Sequence, residues 1–491
     1  MATTNTLFVG CTPEIACAPD GTIVGVGRGA RDAAGRGARR VELAGRALAG
    51  LGDAHLHLEW LARARDAVDL TGARTRRDAL RRVERFVASR PQGAWISGSG
   101  WFNDVWADDA SFPTRQELDR VTGGRPAVLT RKDGHSAWLN TAALRAAGFH
   151  RDSPDPKGGV VDRDSRGAPS GVVREAAFEV AQRAVPPPQE AAFTADLAAV
   201  LRDLARLGLT TVHTMDSARL FRALQRLHEA GRLPIRVVWN FPQAELGAAL
   251  ALGIRSGYGD ERLRVWGVKG FLDGSLGSRT AEMLDGGGVI GIPQGELVEL
   301  VQRCAAAELN VCLHAIGDAA VRRALDALQP FRGAWRLWRP RIEHAQCVHR
   351  DDVPRFAAIG VIASMQPLHA VSDRELVEEV WPGRDEASYA WGALARAGAV
   401  LAFGSDAPVE SAAPLLGIDA ATAWRRRERW HPELALTRPA ALRAYSHGVA
   451  YAAGMERLTG RLRPGLQCDL TVVDGGRVVA TVVGGTVVAR G

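Results

Sequence analysis

Two histidines one residue apart, in Asp53-Ala-His55-Leu-His57, are the first residues of this 491-residue sequence whose spacing could do chemistry. Side chains on a strand alternate faces, so residues two apart point the same way and two such imidazoles can chelate one cation. Further along, VWGVKGF carries Lys269, NVCLHA carries His314, RIEHA carries His344, and a Gly-Ser-Asp turn after VLAF supplies Asp406. Singly, each is an ordinary polar residue at the end of an apolar run. Together they are imidazole and oxygen donors of the kind that suit zinc, iron and similar ions. Lys269 stands out by contrast, because lysine occurs only at 132, 157 and 269 among 62 Lys and Arg residues. An unpaired ammonium is costly on an apolar strand. A neutral amine can instead take up CO₂ to give a carbamate, an anion able to bridge two metals, which a guanidinium cannot do because it does not deprotonate. An ion pair with a neighbouring carboxylate is the competing role for this lysine.

Apolar strands must present these residues. The candidates are Ala47–Leu56, Leu209–Met215, Ile235–Phe241, Val265–Leu272, Asn310–Ala315, Arg341–Ala345, Val361–Met365 and Val400–Ser405. Helical stretches such as Gln189–Leu207, Gly295–Glu308 and Ala319–Gln329 fall between them. Strands alternating with helices argue for parallel βαβ units, and eight of them argue for a closed (β/α)₈ barrel. Short β-like runs at both termini, TLFVG and TIVGVG at one end and LTVVDG and RVVATVVGG at the other, predict a small β-sandwich built from both. The stretch after the first strand is too long for a βα loop and predicts an inserted subdomain, with Pro186–Pro188 marking its exit. The expected layout is therefore 1–48 plus 455–491 as sandwich, 49–57 plus 189–454 as barrel, and 58–188 as an insertion capping the site.

Composition sets the class. Apolar residues make up 46% and charged residues 24%, which is ordinary for a globular protein. The net charge of +7 is spread along the chain, and the run RRRER at 425–429 reads as a solvated helix face. No nucleic-acid module accompanies it. Six cysteines lack CxxC spacing, and no apolar run reaches the ~18 residues of a membrane span. The start MATTNTLFVG shows no charged region followed by an apolar one. The expectation is a cytoplasmic protein acting on a small molecule, with no nucleic-acid or membrane partner and with a homodimer as the candidate assembly.

The order HxH, Lys, His, His, Asp resembles the amidohydrolase superfamily. Finer motifs resemble its YtcJ-like subgroup, which contains the N-substituted formamide deformylases (amidohydrolase 3 type). They read DAHLHL (53–58), WISGSGW (95–101), RKDGHSAWLNTAAL (131–144), GLTTVHTM (208–215), KGFLDGSLGSRTA (269–281), LHAIGDAAVRRALDA (313–327), RIEHAQ (341–346) and GSDAPVE (404–410). The chain departs from the pattern at Ala49-Gly50, where Pro-Gly is usual, and at Phe102, where Asp or Asn is common. The resemblance implies the same barrel, terminal sandwich and insertion. It also implies hydrolysis of an amide or formamide C–N bond through a metal-activated water. His55, His57 and Asp406 would hold one ion and His314 and His344 a second, bridged by carboxylated Lys269. Asp406 would also move the proton. Zn²⁺ is the expected metal, with Fe or Mn as alternatives and one or two ions per chain. Arg131, His135 and Trp101, with Trp106 beside it, are candidate substrate contacts; His213 and Asp273 are candidate cavity and loop residues. Hydrolysis or hydration of another C–O, imine or cyclic C–N bond is the alternative within enzymes. A non-catalytic binding protein on the same fold is the reading from another class, and loss of a ligand would favour it; none is missing.

Overall fold

Eight parallel strands form one sheet in the computed structural model, which describes residues 4–89, 95–186 and 189–491. They are β1 (Leu51–Leu56), β2 (Leu209–Thr214), β3 (Arg236–Pro242), β4 (Leu263–Phe271), β5 (Asn310–Ala315), β6 (Arg341–His344), β7 (Ile362–Met365) and β8 (Val400–Phe403). Neighbours in the sheet follow chain order from β1 to β8. The ring closes at the carboxyl ends, where the Asp406 N–H donates to His55 O at 2.7 Å and the His57 N–H to Ala407 O at 2.8 Å. The fold is a (β/α)₈ barrel. Helices fall between the strands, among them Glu190–Arg206, Gln294–Ala306 and Asp318–Leu328. The outer faces of β4, β5 and β6 pack against them through Val268, Val311, Leu313, Ile342, Leu300 and Leu325.

The apolar run Ala47–Leu56 is two strands rather than one. Arg39–Ala49 belongs to a different sheet, and β1 starts at Leu51. Gly50 makes the transfer: its N–H donates to Asp469 O at 2.8 Å, and a Cβ there would lie 2.5 Å from Thr210 Oγ1. Periodicity sees a continuous apolar segment, but the break needs a residue with no side chain at a point where three strands crowd.

The second sheet has seven strands, from Thr6–Thr12, Ile15–Cys17, Ile23–Val26 and Arg39–Ala49 at one terminus and Leu470–Asp474, Arg477–Val483 and Thr486–Arg490 at the other. It folds over on itself, since the Ile23 N–H donates to Leu466 O and the Cys468 N–H to Gly21 O, both at 2.7 Å. Phe8, Ile15, Leu43, Leu470 and Val482 fill its interior. All six cysteines are unpaired and buried.

Contacts divide the chain into two compact units, residues 1–59 with 197–491 and residues 60–196. The second unit has its own six-stranded sheet, spanning Val68–Asp69 to Pro169–Glu175, and its own core around Leu70, Val83, Trp101, Leu129 and Trp138. Its outer boundary falls within the helix Glu190–Arg206. Of the expected proline exit, 187 and 188 lie outside the described residues. No helix among the described residues is long and apolar enough to cross a membrane.

Candidate metal centre

The carboxyl ends of the strands carry the site. Along β1 and just beyond it, Asp53, His55 and His57 alternate with apolar residues. Asp53 ties β1 to β8: its carboxyl accepts the His55 N–H at 3.0 Å, the Ser405 N–H at 3.1 Å and the Ser405 hydroxyl at 2.6 Å. Burial lifts this carboxyl to about 7 despite those bonds. The seam admits no side chain at Gly404, where a Cβ would lie 2.6 Å from both Asp53 Oδ1 and His55 N. Asp406 follows with φ 60°, a left-handed conformation uncommon for a residue with a Cβ.

His55 Nε2 lies 3.5 Å and His57 Nε2 3.2 Å from Asp406 Oδ1. One donor atom from each of these three groups falls within 4.8 Å of the others, and the same holds for His344, His369 and Asp406. The histidines are oriented from behind. His55 Nδ1 faces Glu343 Oε2 at 2.7 Å, His57 Nδ1 faces Asp216 Oδ1 at 3.2 Å, and His344 Nδ1 faces Gln366 Oε1 at 2.9 Å. All three partner atoms are oxygens that only accept, so Nδ1 carries a proton in each ring, and in a neutral ring Nε2 keeps its lone pair. His55 Nε2 is buried without a hydrogen-bond partner. A buried imidazole nitrogen left in this state beside a carboxylate fits a divalent cation, and the donor chemistry agrees.

For His55 and His344 the electrostatics point the same way. Burial and then Lys269 push His55 down to about 4, and burial with neighbouring His314 holds His344 well below the usual histidine range. Both are neutral and able to ligate at neutral pH. Burial would also lower His57, but its bonds to Asp216 and Asp406 outweigh it and raise the group to about 9, so without a cation His57 is protonated at neutral pH and must give up that proton to ligate one. Burial opposes ionisation of Asp406, yet His57, His55 and His344 hold its carboxyl well below the usual range. Glu343 is fully buried and likewise held ionised, against burial, by Arg341 and His55; Arg341 Nε lies 2.8 Å from its Oε1.

Glu343 and His344 are consecutive, so strand alternation would send them to opposite faces. His344 has φ 72° and Ala345 φ 44°, and this left-handed turn lets both serve the same side. Lys269, on β4, is 2% exposed. Burial lowers its ammonium against the pull of Glu343 and Asp406, and Nζ lies 4.7 Å from the Phe271 ring centre.

His314 lies next to His344. Its ring is 4.5 Å from that of His344, and its Nε2 lies 3.0 Å from Gly274 O. His213 is fully buried and accepts from Arg341 at 2.8 Å. Asp273 accepts the N–H groups of Ile316, Gly317 and Glu282 at 3.0, 2.8 and 3.0 Å, so it orients the loops after β4 and β5. In the second unit, Arg131 pairs with Asp104 at 2.7 Å and Asp133 at 2.6 Å, and His135 Nδ1 faces Glu175 at 3.1 Å. The expected aromatic wall at Trp101 is instead core: Trp101 is fully buried against Trp106 and Trp138, and its Nε1–H donates to Leu129 O at 2.7 Å.

Sequence reasoning missed Glu343, Asp216, Gln366 and His369. Glu343 stands inside the quoted RIEHAQ, two residues from Arg341, and that spacing was the available signal. Asp216 follows the GLTTVHTM motif directly. Gln366 and His369, in QPLH, had no strand-end pattern to reveal them.

The sequence profile of the Amidohydrolase family matches residues 41–489. The chain is 28% identical to YtcJ of Bacillus subtilis (strain 168) over 448 residues, covering 87% of this chain and 83% of that one. It is 27% identical to the N-substituted formamide deformylase of Arthrobacter pascens over 481 residues, covering 92% and 88%. Among solved structures it resembles an uncharacterized metal-dependent hydrolase from Pyrococcus furiosus, with TM-score 0.76 and 28% identity over 96% of this chain and 98% of that one. With the barrel and a His/Asp cluster suited to a divalent metal both in place, this chain belongs to the amidohydrolase family, in its YtcJ-like subgroup.

Proposed function

We propose that this protein hydrolyses an amide or formamide C–N bond of a small molecule at the ends of the barrel strands. The observation that carries the reading is the convergence of His55 Nε2 and His57 Nε2 on Asp406 Oδ1, each imidazole held by a buried acceptor. His55, His57 and Asp406 would hold a divalent cation, Zn²⁺ in this reading, which when bound would supply water of lowered pKa, toward about 7, and polarisation of the scissile carbonyl. Asp406 takes the proton of the attacking water and returns it to the leaving amine. Its left-handed backbone and the Asp53–Ser405 seam hold the carboxylate in place for both tasks. Glu343 keeps His55 in the ligating tautomer and balances the charge of Arg341.

In the same proposal Lys269, as a carbamate, would help to hold two cations, with His344 and His314 as ligands of the second. What supports it is an amine almost wholly buried and shifted toward its neutral, CO₂-reactive form. Lys269→Ala is expected to lose activity and at least one metal equivalent, with partial rescue by formate or acetate, while Lys269→Arg stays inactive. Full metal content and activity in Lys269→Ala would reject the bridge. Arg131 and His135 are carried as substrate contacts, and alanine at either is expected to weaken turnover with metal content unchanged.

The test of the function is a panel of N-formyl and N-acyl amines offered to metal-loaded protein, with release of free amine as the readout. Amine release that chelation abolishes and metal restores is the expected result. Turnover of esters or cyclic imines with none of the amides would move the reaction to another bond.

A further inference from the structure

Phe271 closes β4 two residues past Lys269, and it is 51% exposed. Exposed apolar side chains scattered over an outer surface are ordinary. This one lies on the inner face of the barrel. In the parallel register Lys269 pairs with Cys312 and Phe271 with His314, so these four side chains share a face. Gly270, between them, faces outward, where a Cβ would meet Ile292 at 3.0 Å and Leu300 at 3.4 Å. Lys269, Cys312 and His314 are buried, whereas Phe271 is open. Its ring centre is 4.7 Å from Lys269 Nζ and 5.2 Å from the centre of the His314 ring, with 40° between the two planes. The loop after β4 returns to this point: the Gly291 N–H donates to Leu272 O at 2.8 Å, and the preceding Val289 and Ile290 are also exposed. Arg279 of that loop pairs at 2.5 Å with Glu379, on the helix Pro367–Val380 that follows β7.

We infer that Phe271 sets the substrate class of the site by stacking a flat aromatic group carried on the scissile amide. The inference rests on the hydrolase reading above and adds to it the shape of the group beside the carbonyl. Small-molecule sites combine a few fixed polar groups with apolar and aromatic walls. The strand ends supply the polar groups, and the aromatic wall expected at Trp101 is core. Phe271 supplies aromatic surface in direct contact with Lys269 and His314, so a substrate ring packed on it keeps its amide among the polar groups. An aromatic pair, offset or edge-on, is worth about two- to tenfold in affinity beyond the area it buries. A saturated ring of the same size covers Phe271 but lacks the flat face. A ring on the amide nitrogen and a ring on the acyl carbon share this chemistry.

The experiment measures binding and amine release for matched amides on metal-loaded protein. Acetanilide is set against N-cyclohexylacetamide, and N-methylbenzamide against N-methylcyclohexanecarboxamide, so each pair differs only in whether its ring is flat. Dissociation constants come from ligand-observed NMR, independently of turnover. Wild type is expected to favour the aromatic member of at least one pair by about tenfold, and that pair tells which side of the amide carries the ring. Phe271→Leu keeps apolar bulk without the flat face and is expected to bring the preference to within about twofold, while Phe271→Tyr keeps it. Metal content and melting temperature of Phe271→Leu are expected to match wild type. Loss of metal would instead make Phe271 a shield for Lys269 and overturn the inference. Equal binding within both pairs by wild type, binding of none of the four amides, or an aromatic preference kept in Phe271→Leu would overturn it too. Aromatic preference without amine release from any amide would overturn the proposed hydrolysis and leave the role of Phe271 standing. Amine release without that preference would do the reverse.

Discussion

The orienting partners of the histidines are as much a part of the site as the ligands. Glu343 is fully buried and makes three charged contacts, to His55 Nδ1 at 2.7 Å and to Arg341 at 2.8 and 3.0 Å. Glu343→Gln keeps the shape but removes the charge, so His55 is freed to adopt the wrong tautomer and Arg341 loses its counter-ion. Losses at such positions run to about 10–100-fold in metal affinity or activity. Competition of the variant against a chromophoric chelator reads this directly, and affinity unchanged from wild type would remove Glu343 from the metal centre. Glu343 was legible in principle from its spacing to Arg341, but that spacing also suits an ion pair far from any site. Only the approach of β1 to β6 shows that His55 is its third contact.

At the scale of elements, two glycines at opposite ends of the barrel separate stability from metal binding. Gly50 lies at the entry to β1, where a Cβ would press on Thr210 and Asp469. Gly404 lies at the exit of β8, where a Cβ would press on Asp53 and His55. Overpacking of this kind costs about 1–3 kcal/mol. Gly50→Ala should lower the melting temperature yet keep the wild-type metal content, because the amino-terminal end of a barrel serves stability. Gly404→Ala should lower both, because it pushes β8 and Asp406 away from His55. Metal analysis beside thermal unfolding checks the pair, and full metal content in Gly404→Ala would show that the seam does not set the ligand geometry. The strands themselves were readable as apolar runs to within a few residues. The break at Gly50 was not, because one apolar run served two sheets.

For the whole molecule, the terminal sheet is fastened to the barrel by a buried ion pair. Arg236, at the start of β3, donates to Asp469 at 2.8 and 3.1 Å, and Asp469 also accepts from Thr459 at 2.7 Å and the Gly484 N–H at 2.7 Å. Removing one partner strands the other charge in the interior, at a cost of about 3–5 kcal/mol. Asp469→Ala should therefore unfold at markedly lower urea, and an unchanged midpoint would show that the pair fastens nothing. Chelation acts on the same unit by mass action. A cation at 100 times its dissociation constant contributes about 2.7 kcal/mol. Stripping the metal should lower the unfolding transition of the unit formed by 1–59 and 197–491, and adding metal back should restore it.

The sequence by itself determined the barrel, the terminal sheet and the insertion, because alternating apolar runs leave few other ways to bury their surface. It also placed His55, His57, Lys269, His314, His344 and Asp406 at strand ends, since donors spaced at the ends of parallel strands must gather at one rim. The tertiary structure decided which of them converge. Left-handed turns at His344 and Asp406 redirect side chains against strand alternation, and no local pattern announces them. His369 comes from a helix with no periodic signal for a ligand, and it meets Asp406 only because β7 and β8 are neighbours in the closed ring. Trp101 could have been wall or core. Its place between Trp106 and Trp138 in the second unit follows from the packing of residues distant in sequence, which spacing does not encode.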